Sequence, residues 1–177
     1  MAARLNDEEL MRGVQADDHA AFRQLVQRYL DRCVSFTFTY LRDRDTAQEI
    51  TQRTLVEIYQ KRNQYKLGTS FPSWLFTMLR RRCLDYLRRE QKLQTAVDGE
   101  ITLIPDQRQN DPLEALIKKE DELELYRRLK TLPLHYQESL YLRYYQALPM
   151  PAIAAVMGKS SKAVEQYILL AIKKLRQ

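Results

Sequence analysis

Apolar residues recur three or four positions apart along almost the whole chain, and no segment alternates strictly between apolar and polar. That spacing keeps one face of an α-helix apolar and would scatter the same residues over both faces of a strand. Only 4 glycines and 6 prolines stand in 177 residues, too few for a turn-rich β architecture. The glycines, Gly13, Gly68, Gly99 and Gly158, read as helix stops, and the prolines fall near helix starts or in connections, since proline lacks the N–H of a helix interior. The expected fold class is all-α, with two small helical domains joined by a flexible linker.

Local signals place the elements. Asn6 followed by Glu9 has the form of a capping box for a short first helix. Phe22, Leu25, Val26, Tyr29, Leu30 and Cys33 form the apolar stripe of a second. Asp45-Thr46-Ala47-Gln48 reads as the capping box of a third, with Ala47, Ile50, Thr54, Leu55 and Ile58 inward. A polar loop from Gln60 to Ser70 precedes a long helix that begins near Pro72 and turns Trp74, Leu75, Met78, Leu79, Cys83, Tyr86 and Leu87 inward. Residues 93–110 keep no helical period, and Asp111-Pro112-Leu113-Glu114 joins an N-cap, an N1 proline and an N3 glutamate. A helix to about Leu132, a break at Pro133, a helix near Tyr136 to Tyr145 and two shorter elements follow. The expected domains are 1–92, an acidic linker over 93–111, and 112–177.

Composition narrows the function classes. Apolar residues at 45% and charged residues at 29% describe a globular chain and not a disordered one. No run of uncharged apolar residues reaches membrane-spanning length, and the N-terminus has no apolar core of a secretory signal. A cytoplasmic protein without direct membrane insertion is expected. Cys33 and Cys83 provide neither a disulfide framework nor metal spacing, and His19 and His135 stand isolated. With no Gly-rich phosphate loop and no nucleophile elbow, the chain is expected to be no enzyme, with no catalytic residue, metal, cofactor or small-molecule substrate.

Charge points elsewhere. The net charge is +6 and unevenly spread. Between Phe71 and Lys92 stand Arg80, Arg81, Arg82, Arg88, Arg89 and Lys92 against Asp85 and Glu90, whereas residues 93–111 hold Asp98, Glu100, Asp106 and Asp111 against Arg108. A basic helix also carrying Trp74, Phe76 and Tyr86 suits single-stranded DNA, with Arg on phosphates and bases stacked on rings; a solvated helix face is the alternative. Asn63, Gln64, Tyr65 and Lys66 in the preceding loop are of types that hold an unstacked base, although a plain surface loop has the same composition. Near the C-terminus a short helix from Pro149 ends at Gly158, and a second restarts behind a serine cap. This is the helix-turn-helix pattern, whose second helix reads the major groove with its first residues. Ser160, Ser161, Lys162, Glu165 and Gln166 are of base- or phosphate-contacting types, and an ordinary helical hairpin remains the alternative. Leu169 and Leu170 fall outside the inward stripe of that helix, as on a contact surface; an apolar stripe simply wider than average is the alternative.

Taken in order, these segments resemble the bacterial sigma factors of the sigma-70 family, in the compact two-domain extracytoplasmic-function (ECF) group. Asp18-His19-Ala20-Ala21-Phe22-Arg23-Gln24-Leu25 with Tyr29 is similar to the start of family region 2, and Asp45 through Leu55 to the segment that docks on the polymerase clamp helices. Phe71 through Arg80, with Asp85 through Arg89, is similar to the segment that engages the minus-ten element. Leu132-Pro133, Leu140, Leu142, Arg143 and the helix-turn-helix are similar to region 4. The resemblance implies a transcription initiation factor that binds core RNA polymerase through Asp45, Gln48, Glu49 and Gln52. Asn63, Gln64, Tyr65 and Lys66 would capture a flipped minus-ten base, Arg80, Arg81, Arg88 and Arg89 would hold the adjoining DNA, and Ser160, Ser161, Lys162, Glu165 and Gln166 would read the minus-thirty-five element. It also implies an anti-sigma partner. Three departures stand out: Arg53 where the family has a second acidic residue, Arg81 where an Asn is common, and Tyr167, Leu170 and Ile172 where the last helix carries basic residues. The alternatives are a sigma-like regulator of polymerase or of an anti-sigma partner, and a polymerase-independent helix-turn-helix repressor.

Overall fold

The computed structural model describes residues 5–98 and 119–176. Among them the regular structure is helical, with no strand. The helices are α1 (Asp7–Gln15), α2 (His19–Leu41), α3 (Arg44–Gln60), α4 (Phe71–Asp98), α5 (Glu120–Thr131), α6 (Leu134–Leu140), α7 (Met150–Met157) and α8 (Ser161–Leu175). A 3-10 turn, Arg62–Gln64, follows α3, and a π-helical turn, Tyr141–Tyr145, follows α6. The chain divides into two compact units, Met1–Leu87 and Arg88–Gln177. No described helix is long and apolar enough to cross a membrane.

In the first unit α1 packs on α2 and α2 on α3. The expected capping box forms, with the Glu9 N–H donating to Asn6 Oδ1 at 2.9 Å and the Asn6 N–H to Glu9 Oε2 at 2.7 Å. Gly13 does not stop this helix, because α1 runs through it to Gln15. A Cβ at Gly13 would lie 3.0 Å from the Ala21 Cβ, so the residue serves the close approach of α1 to the start of α2. The third helix opens two residues earlier than Asp45, capped by Asp43, whose carboxylate accepts from the Thr46 N–H at 2.7 Å. Helix α4 follows Ser70, whose Oγ accepts from the Ser73 N–H at 3.3 Å. It brings Phe71 against Tyr29 and Phe76 against Phe36, with ring centroids 5.4 and 5.1 Å apart. Leu25, Cys33, Phe36, Ile58, Leu75 and Leu79 complete this core, while Leu30, expected inward, is exposed. Residues 93–98, expected in the linker, continue α4; the rest of the linker with Gly99, and the helix start at Asp111 to Glu114, lie outside the described residues.

In the second unit α5, α6 and α7 each pack on α8. The amide of Gln137 donates to the carbonyls of Lys130 and Leu132 at 3.2 and 2.6 Å, closing the end of α5. Helix α6 begins at Leu134, earlier than Tyr136, because Pro133 occupies the N-cap position. Leu140, Leu142, Ile153, Val156, Met157, Val164, Ile168 and Ala171 are buried together.

Candidate nucleic-acid and polymerase interface

Three exposed surfaces carry the side chains singled out by the sequence. The first is the outer face of α3. Ala47, Ile50, Thr54 and Ile58 face the core, which leaves Asp45, Gln48, Glu49 and Gln52 exposed on the opposite side. Asp45, Glu49, Gln52 and Val56 follow at i, i+4, i+7 and i+11 and so share one line along the helix. Val56 is 57% exposed; the sequence reading passed over it, although its register from Glu49 was available. Arg53 lies beside this line and pairs with Glu49 at 2.5 Å, both side chains well exposed. The acidic character of the face is thereby partly cancelled from within.

The second surface is the loop between α3 and α4. Asn63, Gln64 and Lys66 are exposed there. Tyr65 is not: it is 4% exposed, packed 5.4 Å from Trp74 and 6.1 Å from Phe71 between ring centroids, and its hydroxyl donates to the Thr69 carbonyl. Burial pushes its phenol above the ordinary value, more than the Thr69 bond lowers it, so the group stays a protonated donor. The expectation that the Tyr65 ring offers a stacking face is therefore corrected; an aromatic side chain in a polar loop next to Phe71 and Trp74 gains more by joining them. Phe76, expected beside DNA, is fully buried for the same reason.

The basic helix continues from this loop. Arg81, Arg88 and Arg89 are exposed and Arg80 is half-buried. Arg81 lies 3.9 Å from Asp85, a pair too long and too exposed to hold the guanidinium against a phosphate. Arg82 is different, because with Lys61 it grips Glu57: Arg82 Nε lies 2.7 Å and Lys61 Nζ 2.6 Å from that carboxylate. Burial raises the Glu57 carboxyl, but the bonds and charges of Lys61 and Arg82 together outweigh it and hold it below its ordinary value. This ion cluster ties α3 to α4.

The third surface is α8 with the turn before it. Gly158 has φ +63°, the left-handed region that a Cβ disfavours. The Lys159 N–H reaches back to the Ala154 carbonyl at 3.0 Å and closes α7. Ser160 Oγ then accepts from the Ala163 N–H at 3.2 Å and opens α8. Helix, three-residue turn and capped second helix are thus built from local chemistry alone. Val164, Ile168 and Ala171 face inward; Ser160, Ser161, Lys162, Glu165 and Gln166 are exposed. Lys162, Gln166, Leu169 and Lys173 share the outermost line, and Leu169 is 61% exposed. On the flank, Tyr167 meets His135 and Tyr136, centroids 4.7 and 5.9 Å away. Partial desolvation, then the Lys159 charge, holds the exposed His135 ring below its ordinary value. Among the described residues no cluster of His, Cys, Asp or Glu could hold a metal ion.

Two family profiles match this chain, "Sigma-70 region 2" over residues 25–93 and "Sigma-70, region 4" over residues 122–175. The RNA polymerase sigma factor SigV of Bacillus subtilis is 25% identical over 143 residues, covering 78% of this chain and 79% of that one. The ECF RNA polymerase sigma factor BldN of Streptomyces coelicolor is 24% identical over 168 residues, 94% of this chain and 63% of that one. Among solved structures, the sigma factor RpoE from Bartonella quintana, in complex with the anti-sigma factor NepR, superposes with a TM-score of 0.69 at 20% identity. The superposition covers 88% of this chain and 94% of that one, and at this identity it is a likeness of fold. The chain belongs to the sigma-70 family, in its ECF group, whose members direct RNA polymerase to promoters. A sigma factor is a transcription initiation factor and not an enzyme.

Proposed function

We propose that the chain docks on core RNA polymerase through Asp45, Gln48, Glu49 and Gln52, with Val56 extending the contact, and reads two promoter elements. Asn63, Gln64 and Lys66 meet an unstacked base of the minus-ten element, and Arg80, Arg81, Arg88 and Arg89 hold the strand beside it. Ser160, Ser161, Lys162, Glu165 and Gln166 address the minus-thirty-five element. The observation that carries this reading is the exposed line of Lys162 and Gln166 on a helix introduced by the Gly158–Ser160 turn. It has the register of a major-groove reader. The domains are 1–92 and 112–177 with a connector over 93–111, and the factor works in the cytoplasm. Leu169 and Leu170 are both exposed, Leu170 where the family carries a basic residue, and favour a regulatory partner on the same helix; an anti-sigma protein of the kind bound to the Bartonella relative fits that description.

The decisive experiment is transcription in vitro with matched core polymerase on fragmented genomic DNA, mapping transcript starts. Starts that share two upstream elements are expected. No new starts with core binding intact would favour a regulator that no longer reads a minus-thirty-five element, and tight duplex binding without polymerase would favour a repressor. Lys162→Ala is expected to lower promoter-specific output about tenfold, the scale of one lost base contact, with core affinity unchanged; equal loss in both would remove Lys162 from the reading face.

A further inference from the structure

Helix α1 precedes residue 25, where the region 2 match begins, yet its last residue reaches into the loop proposed to capture a base. Gln15 Nε2 donates to the Arg62 carbonyl at 2.9 Å and to the Tyr65 carbonyl at 2.8 Å, across 47 and 50 residues of sequence. Two carbonyl acceptors at one point require the amide nitrogen there, and both of its protons are taken. Those carbonyls bracket Asn63 and Gln64, so the bonds fix both ends of the exposed dipeptide. The same turn grips the loop a second time, because Asp17, at φ +62°, pairs with the Arg62 guanidinium. That guanidinium lies 4.6 Å from the Tyr59 ring centroid and donates to the Tyr59 carbonyl at 3.0 Å.

We infer that Gln15 is a positioning residue for base selection, setting the 3-10 turn so that Asn63 and Gln64 present their amides to an unstacked base in one geometry. The inference rests on the proposed role of that loop. Bases differ in their donor and acceptor patterns, and amides held at fixed positions discriminate among those patterns, whereas amides on a mobile turn adapt to several. Loss of the two bonds therefore lowers selectivity more than it lowers total affinity, which the basic helix supplies without reading sequence.

The test uses holoenzyme with the full chain and fluorescent single-stranded minus-ten oligonucleotides that differ only at the captured base. In Gln15→Met, of similar shape but without donors, the preference for the best base over the others is expected to fall about five- to tenfold, the scale of two hydrogen bonds. Gln15→Lys, which retains donors, is expected to recover most of it, and Gln15→Glu, which sets a carboxylate against two carbonyls, to lose the most. Core affinity stays within about twofold. Ile50→Val, a core truncation in the same unit, lowers thermal stability while leaving selectivity intact, and so separates positioning from loss of fold. Unchanged selectivity in Gln15→Met, beside a discriminating wild type, overturns the role of Gln15 alone. A wild type that binds every base equally overturns the reading of the loop itself, and this inference with it.

Discussion

Tyr65 is the buried member of an otherwise exposed stretch of loop, between Asn63, Gln64 and Lys66. Its ring anchors the loop to Phe71 and Trp74, and its hydroxyl closes a short turn on the Thr69 carbonyl. Tyr65→Phe removes only the hydroxyl and is expected to cost about 1 kcal/mol. Tyr65→Ala empties a buried ring site and is expected to cost about 3–5 kcal/mol, a large share of the stability of a domain this size. Urea denaturation measures both, and a Tyr65→Ala loss no greater than that of Tyr65→Phe would mean that the ring is not the anchor. The residue also shows what a sequence leaves hidden. Asn63-Gln64-Tyr65-Lys66 reads as four loop residues of one kind, and nothing local says that the third points inward, because the rings it meets come from the next helix. Gln15 was illegible for a stronger reason. A polar residue at a helix end has no period to betray it, and its partners arrive 47 and 50 residues later.

At the scale of elements, helices written in local chemistry were the readable ones. Gly158 and Ser160 mark the turn between α7 and α8 in the sequence, and the same residues close and open those helices in the structure. Errors arose where packing overrode local preference. Gly13 resembles a helix stop, yet α1 passes through it, and the glycine instead serves the close approach of Ala21, 3.0 Å from where its Cβ would stand. The Asp45 box competes with Asp43, which caps first. The turn before α8 offers a graded test. Ser160→Ala removes the N-cap bond of α8 and is expected to cost about 1 kcal/mol, and Gly158→Ala forces a Cβ into the left-handed region at about 1–2 kcal/mol. Since α8 carries the proposed reading face, both are expected to weaken minus-thirty-five binding in proportion to their effect on thermal stability. Gly158→Asn, which tolerates this backbone, is expected to be milder than Gly158→Ala. Equal losses from the two substitutions would show that φ at this position is not what matters.

Over the whole molecule, the two units carry acid-sensitive groups with different thresholds. In the first unit the Glu57 carboxyl is held below its ordinary value by Lys61 and Arg82 against the opposing effect of burial. A lowered carboxyl contributes stability that is present above its unfolded value, about pH 4.5, and lost as the pH falls through its folded value. In the second unit the exposed His135 is held below its ordinary value by partial desolvation and by Lys159. Below about pH 6.5 the unfolded chain therefore binds a proton there more readily than the folded one, and stability falls as the pH drops through that range. Trp74 is the single tryptophan of the chain and belongs to the first unit, against Tyr65 and Phe71. Its emission is expected to stay constant from pH 7.5 to 5 and to change below about pH 4.5, a change that Glu57→Gln diminishes. Hydrogen exchange at the Ile168 and Ala171 amides, corrected for intrinsic rates, is expected to quicken already between pH 7 and 5.5 around the histidine range, and His135→Gln removes that early step. Protection of those amides that holds unchanged through the histidine range would unlink His135 from the stability of α8. The early step alone, with steady Trp74 emission, would mean that mild acidification loosens the helix proposed to read the promoter while the first unit stays folded.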